Sequence, residues 1–492
     1  MTVFAATCLV AHPITGWNSN SRLDLVFAAV DHGTLKIDRY QNTPPYNTGD
    51  KAYYGGHDYS DKVFGVSVLA LPAYVVIADV SHVFDLKPSF QLIQYLLTRI
   101  AVALPAAVAV MLLARLLMQL GALPRRAVLA TAGAYFGSMM FGYSAVFFPY
   151  LPGIALCLGA LTLVLSPPLN YNKAAAIGGL LGAALIFDLT FNISVAIIGV
   201  FLLARLWRVA KEAAGRALRL MGATAAAAAI PIGAFVFYSV SIFGSPTIPY
   251  KYEASSYFRE GMAKGIMGVT APKVNAMWFL SFHAYRGIFF WSPWLLMAIV
   301  CSVYLIRKDR GLRSIAIASL VCLVGYFLFN SGYYEWWGGA SMGPRLMLPM
   351  YAVVPLALVA VCRPNAPRSL MIGVTATMAA SVALCLPVSL VEPQISAANP
   401  NDLLRRIQPG DPMRVKQIEV LQDFYRLRWS DIKHEWFFPI TFSFIACMAV
   451  IAGGTLLAYI SARRAELASA SDADFESEFE PEFGSDTALA MS

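Results

Sequence analysis

Residues 18–62 read NSNSRLDLVFAAVDHGTLKIDRYQNTPPYNTGDKAYYGGHDYSDK and form a polar stretch between apolar segments. In the whole chain, 58% of residues are hydrophobic, only 13% are charged, and the mean hydropathy is +0.60. Such a chain would expose too much apolar surface in water, so it is an integral membrane protein. Because a loop rich in ionisable side chains beside a bilayer usually carries binding or catalysis, we place the active site in this stretch.

Apolar segments long enough to cross a bilayer recur along the chain. A spanning helix needs roughly 20 apolar residues, because the hydrocarbon core is about 30 Å thick. The predicted fold is therefore an all-α polytopic membrane protein with about twelve transmembrane helices and a long extracytoplasmic first loop. The predicted spans are residues 2–16, 91–118, 127–143, 147–166, 174–188, 190–206, 217–242, 287–306, 314–330, 346–362, 369–391 and 437–460.

The segment 63–84 is one further apolar run, but counting it as a span conflicts with the charges. The positive-inside rule places basic clusters, such as the one at Arg125, in the cytoplasm. If 63–84 crossed the membrane, the polar first loop would face the same side as Arg125. We therefore predict that 63–84, which contains Pro72, lies along the outer leaflet as a juxtamembrane or re-entrant helix. The alternative is a thirteenth span.

The chain divides into a membrane domain, residues 1–462, and an acidic tail, residues 463–492. Within the membrane domain, residues 17–90 form the predicted catalytic loop with its juxtamembrane helices. The tail has eight acids and no Lys or Arg after residue 464, so we predict that it is disordered and cytoplasmic. The remaining external segments are predicted near 144–147, near 189, and at 243–286, 331–345 and 392–436.

Neither the basic residues nor the cysteines indicate a soluble partner or a metal. The positive charges of the membrane domain set its topology, so no nucleic-acid partner is predicted. All seven cysteines fall in apolar stretches without a CxxC spacing, which is typical of small buried side chains.

Two aspartates of the first loop are candidate catalytic bases. Asp24 and Asp31 are seven residues apart, so they share one face if SRLDLVFAAVDHG is a helix. A carboxylate placed there can deprotonate an acceptor hydroxyl. The alternative is an amphipathic interfacial helix whose polar face lies among lipid headgroups.

Lys62 and Arg345 are candidate phosphate ligands. Lys62 immediately precedes an apolar helix, where its charge opposes the helix dipole unless an anion binds there. The alternative for Lys62 is a side chain that snorkels to lipid phosphates. Arg345 closes the segment NSGYYEWWGGASMGPR, residues 330–345, whose glycines allow close approach of a ligand. The predicted substrate-binding residues are His57, Tyr59, Asp61, Glu335 and Trp337.

Two motifs resemble those of the GT-C class of polytopic membrane glycosyltransferases. This class includes protein O-mannosyltransferases, lipid A aminoarabinose transferases and the RgtA-like bacterial enzymes. Asp61-Lys62 before an apolar segment resembles the class motif of an acid, then His or Lys, then Pro-Pro-Leu, although Val63-Phe64 replace the prolines. WWGGASMGPR, residues 336–345, resembles a segment common in bacterial members. The first loop has no Asp-Glu pair, which members of the class often have.

The resemblance implies transfer of a sugar from a polyprenyl-phosphate donor to a glycan, lipid or protein acceptor on the outer face. A first-loop acid, Asp24 or Asp31, would then act as base, while Lys62 and Arg345 hold the phosphate. No cofactor is predicted with certainty; the resemblance allows a divalent metal, but the sequence does not support one, because no second acid lies near 144–147. The expected location is the bacterial cytoplasmic membrane, with the active site facing outward. Alternative functions are a transporter or flippase of lipid-linked saccharides, and a membrane scaffold.

Overall fold

The fold is known from a computed structural model that describes residues 1–10, 16–391, 394, 421, 425 and 440–479. Across these ranges the chain is mostly helical, and its one named sheet is a two-stranded antiparallel hairpin. The prediction of an all-α polytopic membrane protein is confirmed. The predicted external segment 392–436 and the end of the tail lie almost wholly outside the described residues.

The α-helices are numbered in chain order. They are α1 (Thr2–Cys8), α2 (Trp17–His32), α3 (Gly65–Val83), α4 (Phe90–Thr98), α5 (Leu104–Gln119), α6 (Pro124–Phe136), α7 (Met139–Ser144), α8 (Tyr150–Leu165), α9 (Tyr171–Phe187), α10 (Asn192–Phe243), α11 (Ser256–Met262), α12 (Val274–Ser281), α13 (Ile288–Trp291), α14 (Trp294–Lys308), α15 (Arg313–Gly332), α16 (Val359–Cys362), α17 (Arg368–Val391) and α18 (Ile440–Phe479). A π-helical turn, Arg99–Ala103, joins α4 to α5, and 3₁₀ segments Arg345–Ala352 and Val354–Leu358 precede α16. The hairpin strands are β1 (Lys51–Tyr54) and β2 (His57–Ser60).

Six described helices are long and apolar enough to cross a membrane, or seven if the bent 345–362 segment is one span. The predicted number of twelve is not confirmed, for three structural reasons. Helices α8 and α9 have 16 and 17 residues, which is short for a bilayer core about 30 Å thick. The predicted span 346–362 bends by 52° between its 3₁₀ and α parts. The predicted spans 190–206 and 217–242 both belong to α10, whose backbone is non-helical only at Ala213.

The basic ends of several helices meet at one end of the bundle. Arg126 donates to the backbone carbonyl of Arg363, and Arg363 forms an ion pair with Asp309. Arg125 lies 3.3 Å from Glu466 of α18. The clusters that the positive-inside rule assigns to the cytoplasm are therefore neighbours in the fold.

Helix α3 and the first residue of α4 both contact the first loop. Near its start, the Ser67 hydroxyl donates to the Arg22 carbonyl at 2.9 Å, and further along, the Tyr74 hydroxyl donates to Asp31 at 3.0 Å. After α3, the ring of Phe90 packs against Tyr46 of the first loop, with centroids 4.8 Å apart. If α3 crossed the membrane, the chain would leave it on the side opposite the first loop, and Phe90 would lie far from Tyr46. This arrangement supports a helix that lies along the membrane face, although α3 also meets the length and hydropathy criteria for a span.

The two ends of the chain pack together. Helix α1 contacts α18, and Thr2 lies so close to Gly454 that a Cβ on that glycine would be 2.1 Å from the Thr2 hydroxyl. Of the predicted first span, 2–16, the described helix covers seven residues. Helix α18 runs on to Phe479, into the segment predicted as a disordered tail. Its sequence has no Pro before residue 481 and no Gly between 455 and 483, so nothing in it breaks the helix.

Candidate active site

A cavity of about 650 Å³ lies at the end of the bundle opposite the basic clusters, where the predicted external segments converge. Its walls come from α2 and the residues around Asp50 and Lys62, from the start of α8, from the turn at 188–192, from residues 250–269, and from residues 333–346. Segments that are more than 300 residues apart in the chain thus build one site. The first loop contributes to it, as the sequence predicts.

Lys62 is buried in the cavity wall between two carboxylates. Its ammonium lies 3.0 Å from Asp50 and also contacts Asp61, and it faces the ring of Tyr250 at 5.4 Å. Burial alone would lower the pKa of Lys62, but Asp50 and Asp61 hold that pKa well above its usual value. Lys62 therefore does not snorkel to the lipid surface. The anions that compensate its positive charge at the start of α3 are the carboxylates of Asp50 and Asp61.

Two arginines, Arg22 and Arg345, flank a single aromatic ring. The guanidinium carbons of Arg22 and Arg345 lie 5.8 Å and 5.2 Å from the centroid of Phe148, so both charges are held near each other. Arg22 is 2% exposed and donates to the backbone carbonyl of Asn18 at 2.8 Å. Within the described ranges, neither arginine forms an ion pair, and the Nε of each lacks a hydrogen-bond partner. Both guanidinium groups can therefore bind an anion.

The glycines before Arg345 make room for that side chain. Gly338 and Gly339 have φ of +69° and +65°, a conformation that favours glycine. A Cβ at Gly338 would lie 3.0 Å from the Cγ of Arg345. The sequence predicts that a ligand approaches these glycines closely. In the structure, it is the side chain of Arg345 that packs against them.

Four carboxyl groups, those of Asp50, Asp188, Glu253 and Glu335, line the same cavity. Burial would raise the pKa of Asp50, but Lys62, Arg345 and Arg22 hold it below its usual value. Burial raises the pKa of Glu335 to about 7 against the opposing charge of Arg345. Burial and the neighbouring Asp61 raise the pKa of Glu253 to about 10. The site therefore contains carboxyl groups in different protonation states at neutral pH.

The two predicted bases do not line the cavity. Asp24 is fully buried, and neither of its carboxylate oxygens has a hydrogen-bond partner in the described part of the chain. Burial raises its pKa to about 9. Asp31 is exposed at the end of α2, where its carboxylate accepts from the hydroxyls of Tyr40 at 2.9 Å and Tyr74 at 3.0 Å.

The structure separates the predicted substrate-binding residues into two groups. Glu335 lines the cavity, and Asp61 reaches it through Lys62. His57 lies on the exposed hairpin, 3.0 Å from Asp38, and Tyr59 packs against Phe243 outside the cavity. Trp337 also lies outside the cavity lining, and its backbone carbonyl accepts a hydrogen bond from Arg286 at 2.8 Å.

Arg22, Asp50 and Glu253 are site residues that the sequence reasoning did not single out. A signal for Arg22 was present, because a basic residue in an external segment runs against the positive-inside rule. Asp50 is one of six first-loop aspartates, and nothing in the sequence sets it apart from Asp38 or Asp58. No group of three or more His, Cys, Asp or Glu side chains that could hold a metal is found in the described ranges.

No family model matches the chain, and no curated protein matches it. Among solved structures, the chain is similar to ArnT (aminoarabinose transferase) from Cupriavidus metallidurans bound to undecaprenyl phosphate, with TM-score 0.49 and 15% identity over 96% of this chain and 77% of ArnT. The apo form of ArnT matches with TM-score 0.47 and 14% identity, over 93% of this chain and 74% of ArnT.

A third similar structure is the oligosaccharyltransferase AglB from Archaeoglobus fulgidus, in complex with an inhibitory peptide and a dolichol-phosphate. It matches with TM-score 0.42 and 13% identity, over 86% of this chain and 59% of AglB. ArnT and AglB both belong to the GT-C class that the sequence resembles. Because every TM-score is below 0.5, these similarities carry no further argument, and the function proposed below rests on the residues of this chain.

Proposed function

We propose that this protein is a glycosyltransferase that moves a sugar from a polyprenyl-phosphate-linked donor to a cell-envelope acceptor on the extracytoplasmic face. The observation that carries the proposal is the convergence of Arg22, Lys62 and Arg345 on one cavity. Buried cations are normally paired with carboxylates, but the two arginines have no ion-pair partner among the described residues. A phosphate fits such a site, because guanidinium groups bind it with directed, charge-assisted hydrogen bonds.

One wall of the cavity suits the lipid part of the donor. Phe258, Met262, Ile266, Val269 and Phe329 line it with apolar side chains. Ile266 is 81% exposed, so this apolar wall continues to the outside of the protein. A polyprenyl chain could leave the cavity along these residues while its phosphate stays beside Lys62.

Glu335 is the carboxyl group best suited to act as general base. It lines the cavity near Arg345, and its pKa of about 7 matches the condition for efficient proton transfer near neutral pH. Asp50 is the alternative base, since it is close to all three cations, but its lowered pKa makes it a weaker proton acceptor. Asp24 and Asp31 are less suited because neither lines the cavity.

The proposed reaction is a displacement at the anomeric carbon of the donor sugar. The acceptor hydroxyl forms a bond to that carbon as its proton passes to Glu335. The bond from the anomeric carbon to the phosphate oxygen breaks, and its electron pair stays on the polyprenyl phosphate. The leaving phosphate gains negative charge, which Lys62, Arg22 and Arg345 stabilise more strongly in the transition state than in the donor.

The test is release of polyprenyl phosphate from radiolabelled polyprenyl-phosphate sugars by purified protein with membrane-extracted acceptors. We expect turnover by the wild type and a loss of about 10²-fold or more for Arg345→Ala, the scale seen when a charge-stabilising donor is removed. A matched control is Lys87→Ala, which removes an exposed lysine outside the cavity and should keep turnover.

The base is assigned by comparing Glu335→Gln, Asp50→Asn and Asp24→Asn in the same assay. Loss of turnover in Glu335→Gln alone supports the assignment. Retained turnover in that variant together with loss in Asp24→Asn would return the role to Asp24. If the wild type binds lipid-linked saccharides but releases no polyprenyl phosphate from any donor, the result contradicts the transferase and favours a transporter or flippase.

A further inference from the structure

The turn that contains Gly338 and Gly339 is held by a buried arginine that does not itself line the cavity. Arg286 lies in the segment between α12 and α13 and is fully buried. Its Nε donates to the carbonyl of Trp337 at 2.8 Å, and its Nη2 donates to the carbonyl of Gly339 at 2.9 Å. One planar guanidinium group therefore joins two carbonyls of the same turn.

The segment around Arg286 has contacts of its own. The third nitrogen, Nη1, donates to the carbonyl of Tyr285 at 3.0 Å, and the guanidinium carbon lies 4.1 Å from the centroid of the Tyr285 ring. The indole of Trp291 donates to the carbonyl of Ala284 at 3.0 Å. These contacts hold Arg286 in place independently of the turn that it binds.

Arg286 differs from Arg345 in how its charge is satisfied. Neither residue forms an ion pair in the described ranges. A buried cation costs free energy unless its donors find partners. All three nitrogens of Arg286 donate to backbone carbonyls, whereas the Nε of Arg345 has no partner among the described residues. Arg286 is therefore suited to hold backbone, and Arg345 is suited to bind an anion.

The side chain of Arg345 lies along the turn that Arg286 holds. The amide of Gly338 donates to the carbonyl of Glu335 at 2.9 Å, which closes the turn. A Cβ at Gly338 would lie 3.0 Å from the Cγ of Arg345, and a Cβ at Gly339 would lie 3.7 Å from its Nη2. Both the stem and the guanidinium of Arg345 thus follow this backbone. A shift of the turn would move the charged group.

We propose that Arg286 is a positioning residue, which fixes the turn at Trp337 and Gly339 so that the guanidinium of Arg345 points at the donor phosphate. The proposal rests on the function proposed above. Arg286 does not touch the ligand, because it lies outside the cavity lining and its nitrogens are occupied. It acts through Arg345. Without it, a turn with two adjacent glycines has many other conformations, and Arg345 loses its direction.

The experiment is a double-mutant cycle on the binding of undecaprenyl phosphate to the purified protein in detergent. Arg286→Lys keeps the positive charge, but an ammonium group does not reproduce the planar fork that joins two carbonyls. We expect Arg345→Ala to weaken binding about tenfold or more, the scale of a hydrogen bond to a charged group. Arg286→Lys alone should weaken binding about fivefold or more, and added to Arg345→Ala it should weaken binding no more than about twofold.

A second variant changes the same turn and leaves Arg286 in place. Gly339 has φ of +65°, which disfavours alanine, and its Cβ would lie at an ordinary contact distance from Arg345. Gly339→Ala should therefore weaken binding in the wild type and add little to Arg345→Ala. This variant decides the question if Arg286→Lys does not fold.

The control for a general loss of stability is Gly178→Ala. The added Cβ would lie 1.9 Å from the carbonyl oxygen of Thr224, and neither residue lines the cavity. This variant should unfold at a lower temperature than the wild type and bind undecaprenyl phosphate with the same affinity.

The outcomes separate the positioning role from the proposed function. If the wild type binds and Arg286→Lys binds equally well, or if its loss adds in full to that of Arg345→Ala, the positioning role is wrong and the phosphate site stands. An unchanged affinity in Arg345→Ala would also overturn the positioning role, because Arg345 would then not bind the phosphate. If the wild type does not bind undecaprenyl phosphate, the proposed function fails and the positioning role fails with it.

Discussion

Replacing Asp24 by asparagine should make the protein more stable, which is unusual for a fully buried position. The carboxyl group of Asp24 has no hydrogen-bond partner in the described structure, and burial raises its pKa from 3.8 to about 9. At neutral pH, folding must therefore add a proton to this group. Asparagine has nearly the same shape and is neutral at every pH, so it does not need that proton.

The size of the effect follows from the pKa. Each pH unit between the unfolded and folded pKa values costs 1.36 kcal/mol, so carrying a proton at pH 7 costs about 4 kcal/mol. The asparagine amide introduces two buried donors, and an unmet donor costs about 1–3 kcal/mol. One of them has an acceptor within reach, because the Oδ1 of Asn20, one helical turn earlier, has no partner among the described residues. A net gain of about 1–3 kcal/mol at pH 7 is expected.

The sign of the pH dependence makes the test specific. The contribution of Asp24 is fully present below about pH 3.8 and is lost as pH rises through about 9. The advantage of Asp24→Asn should therefore grow from about pH 4 to pH 9. Thermal unfolding can be followed with a thiol-reactive dye, since six of the seven cysteines are buried and become reactive when the protein unfolds.

Asp31→Asn is the matched control, because its amide oxygen can still accept from Tyr40 and Tyr74 at an exposed position. It should change stability little. A less stable Asp24→Asn at pH 8, or a stability difference that does not vary with pH, would refute the reasoning. Loss of turnover in a folded Asp24→Asn would show instead that the buried carboxyl takes part in catalysis.

Wild-type kcat/KM should rise with pH through about 7 as Glu335 ionises, and Glu335→Gln should lose that dependence together with about 10²–10⁴-fold in rate, as measured by polyprenyl phosphate release. Gly178→Ala should destabilise by about 1–3 kcal/mol in thermal unfolding, since its Cβ would lie 1.9 Å from the Thr224 carbonyl. Gly179→Ala, with nothing within 4 Å of its Cβ, is the neutral control. Pro88→Cys in a protein without its other cysteines should be labelled from outside if α3 does not span, and from the cytoplasm if it does.

The sequence places the two proposed phosphate ligands in the cavity more successfully than the two predicted bases, and the reason is physical. Lys62 stands out because its charge opposes the dipole of the helix that follows it, and Arg345 because it closes a glycine-rich segment. The structure places both in one cavity, although 282 positions separate them. The charge of each residue, together with its local sequence context, was sufficient to single it out.

Whether Asp24 or Asp31 meets the cavity depends on the rotation of one helix, which the sequence does not determine. Asp24 and Asp31 do share a face of α2, as their spacing predicts, but that face packs against the 40–48 loop and α3. Asn18 and Arg22 occupy the face that lines the cavity. Because successive helical residues are 100° apart, Arg22 and Asp24 point in nearly opposite directions. Only packing of α2 against its neighbours decides which face meets the cavity.

The buried charges themselves distinguish a binding site from a structural ion-pair network. A structural network satisfies each cation with carboxylates, since an unpaired buried charge costs several kcal/mol. Here Lys62 contacts two carboxylates, whereas Arg22 and Arg345 form no ion pair in the described ranges. Both guanidinium groups lie near the ring of Phe148, and Arg22 also donates to the backbone and side-chain oxygens of Asn18. The surplus of positive charge is thus confined to the arginine side of the cavity. A phosphate that binds there can approach Lys62 by competing with Asp50, whose carboxylate already lies among all three cations. The position of Asp50 shows that an anion is stable among these three cations. A phosphate group that carries two negative charges would also form ion pairs with Arg22 and Arg345, which Asp50 does not.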